Sequence, residues 1–316
     1  MASGGPIQGL SVIAASSDSL YVLYDAETRG RRNVGLLVLD GVSSGQVQVN
    51  TFNVGEGTVG RRSLAIVGQT LVGAYKRADG RIAAFTRPVG RGSITELPAD
   101  AALTATSVPS VAVNGRNVLI SWAGSSGASH LWTVSPAGAA VGAVRSITSN
   151  IARGEVTGAL GGAVFGSATT TSQFSVASGR AARAVGSAPA NVSSFSVAAS
   201  GRNALVVTVA NGTARAHFLR SATDRGRTIE LGPAVAATHA AVAPTAWGAF
   251  SLWPSANTLS IRALRADGRT LGPSFAMGTF RATQPEAFSA AAVGNTVFAF
   301  WAEGGNVQML RINCYS

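Results

Sequence analysis

The sequence predicts an all-β chain built by repetition, and three observations predict it. A short motif recurs, consisting of an apolar strand, a polar turn and a second strand that closes on an aromatic residue. Its clearest copies run from Val111 to Trp122 and from Ala291 to Trp301. The turns inside the motif carry Asn114-Gly115-Arg116-Asn117, Ser200-Gly201-Arg202-Asn203 or Gly294-Asn295, residues that accept the positive φ of tight hairpins. The composition agrees: 38 glycines against 11 prolines, with 46% hydrophobic residues over 316 positions. That mixture suits many short strands around a large core.

Further copies are Ser11–Tyr24 and Leu64–Tyr75, with weaker ones ending at Ser167, Thr208 and Trp253. The equivalent positions are therefore 24, 75, 122, 167, 208, 253 and 301, spaced by 51, 47, 45, 41, 45 and 48 residues. A period of roughly 40–50 residues filled with short strands is the sequence pattern of propeller blades. Each copy continues through a loop of about five residues into a third strand such as Leu259–Leu264. A turn rich in Gly and Asp follows, such as Ala266–Gly272, then a fourth strand such as Ser274–Met277. The expected fold is one seven-bladed β-propeller of four-stranded antiparallel blades, filling 1–316. The blades fall near 10–53, 62–98, 108–149, 155–190, 194–234, 240–278 and 286–313. The seventh copy ends after its third strand, at Val307–Ile312. The N-terminal segment 5–9, around Pro6 to Leu10, is expected to supply its fourth strand, closing the ring and removing an exposed edge.

The runs Pro109-Ser-Val-Ala-Val113 with Leu119-Ile-Ser-Trp122, and Arg262-Ala-Leu-Arg-Ala-Asp-Gly-Arg-Thr-Leu-Gly-Pro273, resemble the degenerate propeller repeats of uncharacterised secreted bacterial proteins. The resemblance covers nearly the whole chain, departs from the pattern at Ser167 and Thr208, and implies a fold without a function.

The net charge of +11 comes from 24 Arg and one Lys, Lys76, against 14 acids. Such an excess suits an anionic partner or simply a soluble basic surface. In a propeller the first–second and third–fourth strand turns share one face. That face would collect Arg87, Arg91, Arg116, Arg180, Arg183, Arg202, Arg225, Arg227 and Arg269, with few acids. These are the candidates for docking onto an anionic surface. The opposite face would mix Arg29, Arg31, Arg32, Arg61, Arg62, Arg77, Arg81, Arg153 and Arg281 with Asp25, Glu27, Glu56, Asp79, Glu155, Glu286 and Glu303.

Tyr24, Tyr75, Trp122, Trp253 and Trp301 recur near the loops between second and third strands, and Trp247 sits in a hairpin turn. They are the ligand-binding candidates, because an aromatic face stacks on the C–H patch of a sugar; the alternative is that the strand-end aromatics pack blade on blade. Trp132, on a third strand, reads as core. His130, His217 and His239 have no metal-ligand spacing, and neither a metal nor a cofactor is expected. No nucleophile elbow, phosphate loop or zinc pattern is present, so no catalytic residue is assigned; Glu155 and Glu286 are the best carboxylates for a general acid and base. Cys314, the single cysteine, cannot form an internal disulfide. The start of the chain does not read as a signal peptide, and no apolar run is long enough for a membrane helix.

These features favour a non-catalytic, lectin-like recognition or adhesion module, extracellular or at a cell surface, whose partner is a glycan or another anionic surface. The alternative is a structural subunit with protein partners in an envelope, appendage or virion assembly; a virion-borne or cytoplasmic chain fits as well. A polysaccharide lyase or hydrolase ranks third. Nucleic acid is a lesser candidate, because basic turns with few interleaved aromatics are a poor stacking platform.

Overall fold

A computed structural model describes residues 5–97, 104–125, 128–148, 151–159, 163–168, 174–178, 181–184, 192–200, 203–220, 226–235, 240–281, 284–303 and 305–314. Every regular element among them is a strand, apart from one 3-10 turn at Pro285–Ala287. The hydrophobic runs are short and broken by turn residues, so no helix gains enough length to nucleate.

The strands come in successive antiparallel sets. The first is β1 (Ile7–Ala14), β2 (Ser19–Thr28), β3 (Arg31–Asp40) and β4 (Gln48–Thr58). The second is β5 (Leu64–Val67), β6 (Thr70–Arg77), β7 (Ile82–Pro88) and β8 (Thr95–Leu97). The third is β9 (Ser110–Asn114), β10 (Asn117–Ala123), β11 (Ala128–Val134) and β12 (Arg145–Thr148), and the fourth is β13 (Ile151–Thr157), β14 (Ala163–Ala168), β15 (Phe174–Ser178) and β16 (Ala181–Ala184). Next come β17 (Val192–Ser200), β18 (Asn203–Ala210), β19 (Thr213–Leu219) and β20 (Arg227–Pro233), then β21 (Ala241–Pro244), β22 (Gly248–Ser255), β23 (Thr258–Arg265) and β24 (Phe275–Thr279). The last set has three strands, β25 (Phe288–Val293), β26 (Thr296–Glu303) and β27 (Asn306–Asn313). Short outer pairings, Gly57 with Arg77 and Thr148 with Ala181, join the first set to the second and the third to the fourth.

Gly115 (φ 61°) and Gly294 (φ 56°) take the first central position of the two-residue turns between β9 and β10 and between β25 and β26. Each repeat-end position named from the sequence falls on the second strand of its set: Tyr24 on β2, Tyr75 on β6, Trp122 on β10, Ser167 on β14, Thr208 on β18, Trp253 on β22 and Trp301 on β26.

Consecutive sets pack face to face through shared apolar clusters. Tyr21, Leu23 and Val34 meet Leu71, Tyr75 and Phe85; Val72 and Ala74 meet Ile120 and Trp122; Leu205 and Val207 meet Val242 and Trp253; Phe250 and Ile261 meet Phe288 and Trp301. The last set in turn packs on the first, Phe298 and Phe300 against Leu10, Val12 and Leu20. Hydroxyl groups tie the first strands of neighbouring sets together. Ser63 N donates to Ser11 Oγ (3.0 Å), Val156 N to Ser110 Oγ (3.0 Å), Ala240 N to Ser194 Oγ (3.0 Å) and Val12 N to Ser289 Oγ (3.1 Å). These side-chain acceptors satisfy N–H groups on the sides of the first strands that carry no ladder, and Val111 N finds a backbone acceptor there, Arg62 O at 2.6 Å.

The N-terminal expectation is corrected. Residues 7–10 do not join β27; they begin β1 and pair with β2, Ile7 opposite Ala26 and Leu10 opposite Tyr24, with a bulge between. Asp25 holds the bulge. Its Oδ1 accepts Gln8 N at 3.3 Å and its Oδ2 accepts Val59 N at 2.9 Å. Gly9 lies so close to the Val59 carbonyl oxygen that a Cβ would sit 2.0 Å from it. With Ile7, Leu10 and Val12 all buried, burial on the inner side outweighs pairing at the outer edge. Among the described residues, the outer edge of β27 has no strand partner.

Candidate functional site

Among the described residues β27 has no outer neighbour, and a groove of about 1030 Å³ lies between β22–β24 and the last set. Trp247, Leu271, Phe275 and Met277 line one side, and Asn295, Ile312 and Cys314 the other. In a complete set a fourth strand would cover β24; here Phe275 is 59% exposed and Leu271 44%. Trp247 stands at the turn before β22 and stacks edge-on against Phe250, ring centroids 5.1 Å apart, which fixes its ring. The Ala266 N–H donates to the Trp247 carbonyl (3.2 Å), tying that turn to the β23–β24 connection.

The polar lining of the groove is cationic. Arg262 Nε donates to Gly272 O (3.2 Å) and its Nη1 to Glu230 O (3.4 Å), so the guanidinium is held against the wall, while Arg265 is exposed. No carboxylate is among the lining residues. Burial raises the pKa of the Cys314 thiol, which favours the neutral form of a side chain packed in the apolar wall. The groove opens beside the β21–β22, β23–β24 and β25–β26 turns. Trp247, the hairpin-turn candidate, therefore lies at the opposite ends of the strands from the other aromatic candidates.

Of the aromatic candidates, only Trp247 lies in this groove. Trp253 (1% exposed), Trp122, Tyr75 and Trp301 are buried between sets; Trp253 Nε1 donates to Pro233 O at 3.1 Å. A ring closed off by neighbouring sheets has no face to offer a sugar, so these four are corrected to core residues. Tyr24, partly buried, lays its ring over Gly35, its cross-strand partner, where a Cβ would be 2.6 Å from the ring. Trp132 is also buried.

The arginine candidates divide. Arg91, Arg116, Arg227 and Arg269 are exposed. Arg269 makes a surface pair with Asp267 at 3.6 Å. Arg87 is corrected: it is 3% exposed, lies 4.7 Å over the Phe52 ring and 5.8 Å over the Tyr21 ring, and donates to Pro88 O and Gly90 O. Its flat, weakly hydrated cation seals the outer end of the first two sets rather than facing a partner. Arg180, Arg202 and Arg225 lie outside the described residues, as does the side chain of Arg183 on β16.

Arg61 and Arg62, sorted by sequence to a surface, instead enter the middle of the molecule. Arg61 Nε donates to Glu155 Oε1 at 2.6 Å, its Nη1 to Ser194 Oγ at 3.3 Å, and its Nη2 to Phe195 O. Glu155 Oε2 accepts Val197 N at 2.8 Å, and Glu286 Oε2 accepts Arg61 N at 3.1 Å. Both carboxylates proposed for acid–base chemistry therefore converge on Arg61. The one sequence signal for this was the Arg-Arg pair immediately before the first strand of a repeat, where a propeller chain passes closest to its axis.

The histidines are hydrogen-bonded within sheets. His130 Nδ1 pairs with Ser146 Oγ at 3.0 Å. His217 Nε2 and Nδ1 pair with Thr208 Oγ1 (2.9 Å) and Thr228 Oγ1 (3.1 Å). Burial, with Arg215 nearby, holds His217 down to a pKa of about 4. His239 lies outside the described residues. Among the described residues no three His, Cys, Asp or Glu side chains cluster to hold a metal, and no helix is long and apolar enough to cross a membrane.

No family model matches the sequence, and neither does any curated protein. Solved structures do resemble the chain. The WD40 domain of Toxoplasma gondii coronin superposes with a TM-score of 0.55 at 12% identity, covering 95% of this chain and 79% of that one. The SapL1 lectin, solved with alpha methyl fucoside, gives 0.54 at 12% identity, covering 97% and 92%. The Pyrococcus horikoshii acylaminoacyl peptidase gives 0.54 at 7% identity, covering 94% of this chain and 49% of that one. Identities this low carry the fold alone. WD40 repeats build β-propellers, and this chain shares with them an all-β architecture of successive antiparallel sheets.

Proposed function

We propose that the chain is a closed, seven-bladed β-propeller that works as a non-catalytic, lectin-like recognition module outside the cell or at its surface. The observation that carries the binding reading is the groove holding Trp247 and Phe275 beside Arg262 and Arg265. Its concave, largely apolar wall with a few fixed polar groups is what a small-ligand site needs. A ring face stacks on a sugar's C–H patch while the guanidinium groups meet hydroxyl or acidic substituents. The bound fucoside of SapL1 supports glycan recognition on this fold. The seven-blade count is supported by seven successive sets, and closure by the packing of the last set on the first.

The test is a glycan array probed at low and high salt with wild type, Trp247→Ala and Phe275→Ser. Salt-resistant binding to particular sugars, lost in Trp247→Ala, is the expected result. Binding only to anionic polymers and only at low salt would mean that the exposed arginines dock nonspecifically. Absence of binding would refute the lectin reading. A second reading, a subunit of a larger assembly, is favoured by the open edge of β27, a place where another chain can add a strand. Isolation of the protein within a native particle, with β27 protected from hydrogen exchange, would establish it.

A further inference from the structure

The first strands of the sets surround a second cavity, about 240 Å³, separate from the groove. That is below the roughly 300–1,000 Å³ of typical drug-sized pockets, so it suits a small ligand. Arg61, Arg62, Ser11, Ser196 and Ser289 supply its polar lining.

Most of these groups are already engaged. Arg61 is used up by Glu155, Ser194 and Phe195. Both Glu155 oxygens are taken, one by Arg61 and one by the Val197 N–H. Ser289 Oγ accepts Val12 N and donates to Arg61 O.

Arg62 differs. The one hydrogen bond of its side chain among the described residues runs from Nη1 to Val197 O, a neutral acceptor. Arg61 engages Glu155 through its guanidinium and Glu286 through its backbone N–H, and among the described residues no carboxylate forms an ion pair with Arg62. Burial is the largest influence on that guanidinium and lowers its pKa; attraction to Glu155 and repulsion from Arg61 follow. Arginine has five N–H donors in a fork that matches an oxyanion, and Arg62, half-buried at the cavity, is a partly desolvated cation that favours a charged partner. Two hydroxyl groups stand ready beside it. Ser11 Oγ accepts Ser63 N but donates to nothing among the described residues, and Ser196 Oγ has no hydrogen bond there at all.

We propose that this axial cavity binds a small oxyanion, a carboxylate or phosphate group, with Arg62 supplying the charge and Ser196 and Ser11 supplying hydroxyl donors. The site is independent of the groove, so it stands or falls apart from glycan binding.

The test is thermal unfolding of the full chain in sodium acetate or sodium phosphate, each against sodium chloride at matched ionic strength. Wild type is expected to gain Tm saturably in at least one of the two anions, and the stronger response identifies the group as carboxylate or phosphate. Arg62→Gln should weaken the apparent affinity by at least about tenfold, the usual worth of a charge-assisted hydrogen bond. Ser196→Ala should weaken it several-fold while keeping the wild-type Tm in chloride. No saturable response of wild type to either anion would overturn the proposal, as would an unchanged response in Arg62→Gln. If Arg62→Gln fails to fold, Ser196→Ala decides: a response equal to wild type overturns the hydroxyl-lined site.

Discussion

His217 gives a stability prediction whose size follows from its surroundings. The ring sits on β19 between Thr208 of β18 and Thr228 of β20, 5% exposed, with both nitrogens bonded to hydroxyl groups. Threonine hydroxyls satisfy a neutral imidazole but give an imidazolium no counter-charge, and Arg215 on the same strand repels one. The folded-state pKa is therefore depressed, from 6.5 to about 4. A depressed pKa means that the unfolded chain takes up the proton first. The stabilisation is present above pH 6.5 and is lost as pH falls toward about 4. At about 1.4 kcal/mol per pH decade, the loss is about 2 kcal/mol at pH 5 and levels off near about 3 kcal/mol below pH 4. Urea unfolding of wild type and His217→Gln across pH 7.5–3.5 measures it directly. Other titrating groups contribute equally to both proteins, so the difference between the two curves isolates His217. Wild type should lose about 3 kcal/mol more than the variant over that range. Parallel curves would refute the reasoning, as would an imidazole that titrates near 6.5 by NMR in the folded protein.

Three further outcomes follow from the packing. Glu155→Ala strands the buried Arg61 cation and removes the acceptor for Val197 N, so it should cost about 3–5 kcal/mol in denaturant unfolding. Gly73→Ala should destabilise by about 1–3 kcal/mol, read as a lowered Tm, because its Cβ would lie 2.2 Å from the Phe85 ring on the paired strand. Arg87→Ala should lower Tm through lost contact with Phe52 and Tyr21 and leave anion-dependent surface binding unchanged, whereas Arg91→Ala should leave Tm unchanged.

The repeat was legible because the physics that sets it is local. A two-residue turn needs a residue tolerant of positive φ, as at Gly115 and Gly294, and each second strand alternates toward neighbours on both sides. The aromatic at the end of that strand is readable as recurring, but its exposure is a property of the next sheet, which the local sequence does not contain. Trp253 is closed in by the fifth and sixth sets, while Trp247, six residues earlier, borders a groove. The N-terminal strand was misplaced for a similar reason. Gly9 is required by close approach to Val59, and it lies in a bulge held by the distant carboxylate of Asp25. Arg61 and Arg87 share that cause: long-range partners at Glu155 and Phe52 decide that these cations are buried.

The two cavities share an origin in how the sets meet. Each first strand bonds its neighbours through side chains, so the middle of the molecule is lined by polar groups whose satisfaction depends on the residue present in each set. Where a set offers serine, as at Ser11, Ser110 and Ser289, the hydroxyl accepts one N–H and the contact is complete. The fourth set offers Glu155 for the same task, and its extra charge pairs with Arg61 from the segment just before β5. Arg62 follows Arg61 in the chain and is drawn toward the interior with it, half-buried, where among the described residues no carboxylate pairs with it directly. At the periphery the last set has three strands among the described residues, and Phe275 and Leu271 face solvent beside it. A regular repeat buries both kinds of group. Among the described residues the departures from regularity, a glutamate in the fourth set and an outer edge of β27 with no strand partner, leave a cation without a paired carboxylate and an apolar wall exposed, and the two proposed ligand sites lie there.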